Sequence, residues 1–127
     1  MTPEQAVERL TVIFAHAWMV RTFLKHAEEI QDDEELLDVP RTIFDYVRAT
    51  EPAHLRGDVQ EYLRRAKGKL SKLRRAAEFF AQEHRRVSDH TNFQMAALSL
   101  SGCVHEIEEV LAAVERGEAK AGPAAPA

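Results

Sequence analysis

Two stretches of the chain repeat apolar residues at alternating spacings of four and three. Val59, Leu63, Ala66, Leu70, Leu73, Ala77, Phe80, His84 and Val87 make the first, and Phe93, Ala97, Leu100, Val104, Ile107, Leu111 and Val114 make the second. A period near 3.5 lines such residues along one side of a helix, which no extended strand can do. Both stretches are therefore predicted to be long helices that bury one stripe. Ser88-Asp89 is predicted to cap the start of the later one, and Gly117 to stop it.

The first half of the chain is punctuated more than patterned. Thr2-Pro3-Glu4-Gln5 reads as a helix start, with Thr2 as N-cap, Pro3 where no N–H is missed and Gln5 closing a capping box. That first helix is expected to run to about Gln31. Asp32 and Asp33 can cap a second, whose first turn carries Glu34 and Glu35 against the positive helix end. Pro40 predicts either a kink or a restart at Asp38, and Glu51-Pro52 predicts an end near Thr50. Four amphipathic helices joined by short connections favour antiparallel neighbours. The expected fold is all-α, an up-down-up-down antiparallel four-helix bundle over residues 1–117. Residues 118–127 form an Ala/Pro/Gly-rich tail with nothing to bury, expected to be disordered.

Several classes of function are excluded or disfavoured by composition. The longest uncharged run, Leu10 to Val20, is far short of the roughly 20 residues of a membrane span, and no apolar leader follows a basic start. Cys103 is the single cysteine, so it has no internal disulfide partner and a cytoplasmic location is the expectation. No Gly-rich phosphate loop is present, since Gly68-Lys69-Leu70-Ser71 lacks the upstream glycine. A ferritin-like di-iron centre would need inward carboxylates and Glu-x-x-His pairs, and the two long seams contain no Asp or Glu. The expectation is a non-enzymatic interaction or scaffold module with no cofactor.

The stretch AHAWMVRTFLKHAEEI, residues 15–30, carries the strongest sign of a partner. Leu10, Ile13, Ala17, Val20, Leu24 and Ala27 form one apolar stripe, and Val12, His16, Met19, Phe23, His26 and Ile30 form a second beside it. Together they cover roughly 240° of the helix, where about 100° upward suffices to face a core. Either the first helix is central and covered by its own chain, or the second stripe is an interface. The interface reading takes His16, Trp18, Met19, Phe23, His26 and Ile30 as a self-association or protein-partner surface, hence a homodimer.

Two alternatives come from other chemistries. At 1.5 Å per residue, His26, His84 and His90 fall at one end of the predicted bundle, where neutral imidazoles could bind a divalent transition metal with Asp89 nearby. The net charge of −4 hides a segregation. Residues 28–38 are acidic, whereas residues 64–75 hold seven cations and no acid. Arg64, Arg65, Lys67, Lys72 and Arg75 are the candidates there for an anionic partner, protein or nucleic acid.

Overall fold

The computed structural model describes residues 1–120, and among these it is all-helical. Helices α1 (Pro3–His26), α2 (Glu28–Gln31), α3 (Glu34–Arg56), α4 (Val59–Gly68), α5 (Leu70–Glu83) and α6 (Thr91–Lys120) follow one another, with a 3-10 turn at His84–Arg86 before the last. No described helix is long and apolar enough to cross a membrane.

Local chemistry explains the starts. Thr2 and Gln5 exchange side chain and backbone hydrogen bonds at the head of α1, the capping box the sequence predicts. Asp33 accepts from the Leu36 N–H at the head of α3, and Asp58 from Glu61 N–H at the head of α4. The cap of α6 differs from expectation. His90, rather than Ser88 or Asp89, takes the role, its Nδ1 accepting from Asn92 N–H at 3.0 Å while Ser88 Oγ accepts from His90 N–H.

Four boundaries also differ. The first helix breaks at Ala27, whose backbone is extended, and resumes as the short α2. The break moves Glu28 and Glu29 from the negative end of α1 to the positive start of α2, and it lets Ile30 reach the core with no exposure. Helix α3 runs through Pro40 and Pro52 to Arg56, because Ala53 beyond the second proline is buried and Gly57, at φ 70°, supplies the left-handed stop that a side chain would resist. The long seam helix is divided at Lys69 into α4 and α5. Helix α6 continues past Gly117 to Lys120. Gly117 lies where the chain start crosses it, and an added Cβ would stand 3.1 Å from the Met1 carbonyl oxygen. The helix therefore takes in 118–120 of the expected tail, and the rest of that tail lies outside the described residues.

The seams are the core. Every seam residue of α4 to α6 is buried apart from Val59 and Val87, which pack half-buried against it. Helix α1 is held on three sides, by α3, α4 and α6. Phe14 meets Tyr46 edge-on at 5.4 Å and stacks on Tyr62 at 5.9 Å, and Phe23 packs on Phe93 at 5.2 Å. The Tyr46 hydroxyl donates to the Ala66 carbonyl at 2.6 Å, taking one of the acceptors that the end of α4 leaves over.

Candidate functional site

The sequence-predicted residues separate into three fates. The surplus stripe of α1 does face solvent: Val12 is 50% exposed and Met19 65%, and His16 and His26 are exposed. Phe23 is half-buried on Phe93 of α6. Ile30 does not belong with them, because the break at Ala27 turns it into the core. Trp18, grouped with the interface residues in the sequence, lies against Phe44 of α3 at 5.6 Å, with the Arg21 guanidinium 4.3 Å above its ring.

The histidines are not gathered. His84 is buried against Phe80 with its Nδ1 unpartnered, His90 spends its Nδ1 as the cap of α6, and His26 is exposed in the last turn of α1. Among the described residues no three His, Cys, Asp or Glu side chains stand close enough to hold a metal ion. Equal height at 1.5 Å per residue placed the three histidines at one end, but His84 lies buried in the 3-10 turn, His90 is spent as the cap of α6 and His26 stands exposed on α1. The trio His26, His84 and His90 is corrected on that ground.

The basic run is largely engaged within the chain. Arg64 and Arg65 both bind Glu61, at 2.7 and 2.8 Å, Lys67 reaches Glu115 at 2.6 Å and Arg74 reaches Glu108 at 3.2 Å. Glu108 and Glu115 lie on α6, so acids distant in sequence interleave the cations in space. Glu61 is held down to about 2 by hydrogen bonds from the two arginines. Of the cations predicted to meet an anionic partner, Arg64, Arg65 and Lys67 already have one, while Lys72 and Arg75 remain on the α5 surface. At the other end Arg86 pairs with Asp33 and Glu35 of the acidic run, each at 3.4 Å.

Two concave regions flank the exposed stripe of α1, with Met19 on the crest between them. On one side α1 and α6 form a shallow groove in which His16, Met19 and Phe23 face Met95, Ala96 and Ser99. Met95 and Leu98 are 54% and 66% exposed, so the apolar surface of α1 continues onto α6. Asn92, Met95, Leu98, Ser99 and Gly102 make that side of α6 uncharged over about three turns, and a Cβ added at Gly102 would meet open space. Periodicity flagged the α1 half; the α6 half was hidden because Met95 and Leu98 lie off the heptad seam. On the other side of Met19, between α1, α3 and α4, lies a cavity of about 410 Å³ walled by aromatic rings. No spacing rule marks it, since its residues come from three helices.

Cys103 lies beneath α1, its Sγ 3.8 Å from the Ile13 carbonyl oxygen. Burial, aided by the nearby Glu106 carboxylate, pushes its thiol up to about 11, which leaves it protonated and unreactive at neutral pH.

Compared with known proteins, the chain matches no family model, no curated protein and no solved structure.

Proposed function

We propose that this chain is a non-enzymatic interaction module that associates with a second copy of itself through the α1–α6 face. Its helices are read as four rods in up-down-up-down order, α1 with α2, α3, α4 with α5, and α6. Support for that order comes from reversed pairings: Arg9 with Glu106 and Phe23 with Phe93, His54 with Tyr62 and Tyr46 with Ala66, Lys67 with Glu115 and Arg74 with Glu108.

The observation that carries the self-association reading is the continuity of exposed apolar side chains across two helices. Met19 on α1 and Met95 on α6 border the same groove, and Val12 and Leu98 add exposed apolar side chains on the same two helices, each half exposed or more. A charged patch repels its own copy across a two-fold axis, whereas this face holds no Asp, Glu, Lys or Arg between its ends and can meet itself without that cost. Burying the Met19 and Met95 side chains would contribute about 1.5 to 3 kcal/mol each before the cost of association.

Sedimentation equilibrium tests the reading. Wild type should sediment as a dimer at tens of micromolar, and Met19→Glu combined with Met95→Glu should be a monomer with unchanged helical circular dichroism. A monomeric wild type at several hundred micromolar would sink the proposal.

A further inference from the structure

We propose that the cleft between α1, α3 and α4 is a binding site for a small, neutral, mostly apolar ligand that carries one hydrogen-bond donor, a phenol or an indole by chemical class. The site adjoins the α1–α6 face at Met19, which borders both, and its remaining walls come from other residues of α1, α3 and α4.

The size and walls come first. The cavity, about 410 Å³, falls within the range of small-molecule pockets, and Phe14, Trp18, Val47 and Tyr62 wall it. Phe14 and Tyr62 stack on one another within 18° of parallel at the buried back of the cleft, so that wall is aromatic and held in place.

The polar groups then decide which ligand fits. Three clustered hydroxyls, Thr11, Thr50 and Tyr62, line the inner wall of the cleft, and the exposed His54 imidazole lies at its rim beside Tyr62. A hydroxyl has a single proton to donate. Thr11 gives its proton to the Val7 carbonyl and Thr50 gives its own to the Val47 carbonyl, both at 2.8 Å. The 3.2 Å contact between Thr11 and Tyr62 must then use the proton of Tyr62. All three protons are committed, and what the cluster has left to offer is oxygen lone pairs, foremost that of Thr11, since Thr50 and Tyr62 are themselves buried. A ligand that donates is matched, while one that only accepts would set lone pair against lone pair.

Charge narrows the class further. The Arg21 guanidinium already lies over the Trp18 ring, and a cation in the cleft would meet that positive charge close by. Glu51, at the rim, is taken by Arg48 at 2.8 Å and so is not a free counter-ion for an ammonium. An anion would face the acceptor oxygens. A neutral donor on an apolar ring avoids each of these conflicts.

Trp18 is the only tryptophan of the chain and forms part of the wall, so its emission reports on the cleft directly. The experiment titrates the full chain with 4-propylphenol, with 4-propylanisole, in which a methyl replaces the donor proton, and with 4-propylbenzylamine, which is cationic. Saturable change in Trp18 emission is expected with the phenol, with the anisole weaker by about five- to tenfold, the loss of one matched hydrogen bond, and the amine weaker still. Ala15→Leu, at an exposed helical position on the cleft wall, should weaken the phenol at least tenfold with the thermal melt unchanged. Met95→Glu, remote from the cleft, should bind like wild type. No saturable change with the phenol, anisole or amine binding as well as the phenol, or phenol binding that survives Ala15→Leu or is lost in Met95→Glu, would each overturn the assignment.

Discussion

Helix α1 and the α4–α5 rod pack on the same core with opposite surfaces. On α4 and α5 one stripe is apolar and all of it is buried or half-buried, while Arg64, Arg65, Lys67 and Arg74 beside it find carboxylates on their own helix and on α6. On α1 the buried stripe of Leu10, Ile13, Ala17, Val20 and Leu24 is complete, and a second apolar row still stands in water. The contrast teaches how to separate residues that fold the chain from residues left for something else. Where a helix's apolar side chains are all used inside the chain, its sequence is accounted for by stability. Where apolar side chains remain exposed in a row, folding does not explain them.

The largest way to break this comparison is at the seam. Leu73 has no exposed surface, and Leu73→Ala should cost about 2 to 5 kcal/mol, from lost burial and the cavity left behind. Met19→Ala, removing a side chain of similar size from the exposed row, should change the stability of the monomer by less than about 0.5 kcal/mol. Urea melts of both variants at low protein concentration give the test. Equal losses would mean the exposed row is part of the fold and the distinction between the two helices is false.

A smaller effect is expected at the joint of α4 with α3. Tyr46→Phe keeps the ring against Phe14 and removes the 2.6 Å bond to the Ala66 carbonyl, leaving a buried acceptor without a partner. The expected loss is about 1 to 3 kcal/mol, read by denaturant melts. A loss near zero would show that the Ala66 carbonyl finds another donor and that the break at Lys69 does not depend on Tyr46.

Much of this was legible in the sequence, and the limits have physical causes. A heptad seam reports one face of a helix, so the buried rows of α5 and α6 could be read directly. The division at Ala27 could not, because no Gly or Pro marks it and the break serves to bring Ile30 into the core, whereas the division at Lys69 follows Gly68, a glycine that the unbroken seam around it masked. Pro52 pointed to an end that Ala53 and Gly57 overruled. The partners of Lys67 and Arg74 lie more than thirty residues away, so a basic run that looked unopposed along the chain is paired in space. The cleft at Trp18 needs Thr11, Thr50 and Tyr62 brought together from three helices, and the hydrogen bonds that define its chemistry exist only after folding.

Cys103 tests whether the surface under the exposed row is closed. The thiol ordinarily ionises near 9 and in the fold near 11, so the native state holds a proton that the unfolded chain has lost between those values. Stability should therefore fall as pH rises from about 9 toward 11, and the fall should be shallower in Cys103→Ala, the remainder coming from the buried Tyr46 and Tyr62 hydroxyls, which burial also pushes up. Alkylation by iodoacetamide at pH 8 should be slow in the native protein and fast in urea. Rapid labelling of native protein would mean that α1 lifts from α6, and that the exposed row belongs to a loosely held helix.

The smallest effect is expected where the α4 surface is busiest. Glu61 accepts from Arg64 Nε and Nη2 and from Arg65 Nε, all within 2.8 Å, and the pairing lowers its carboxyl from 4.5 to about 2. A carboxylate lowered in the fold stabilises it above the unfolded pKa and loses that contribution as pH falls through the folded one. The window here runs from about 4.5 down to about 2. Both arginines are exposed, at 68% and 50% of their side chains, so solvent and salt screen the pairs and little stability rests on them. Glu61→Gln should melt slightly below wild type at pH 7 in low salt, with the gap closing at high salt and again as pH falls below about 2, where the wild-type carboxyl becomes neutral. A gap comparable with that of Leu73→Ala would mean that the ion pairs, and not the seam, hold α4 in place.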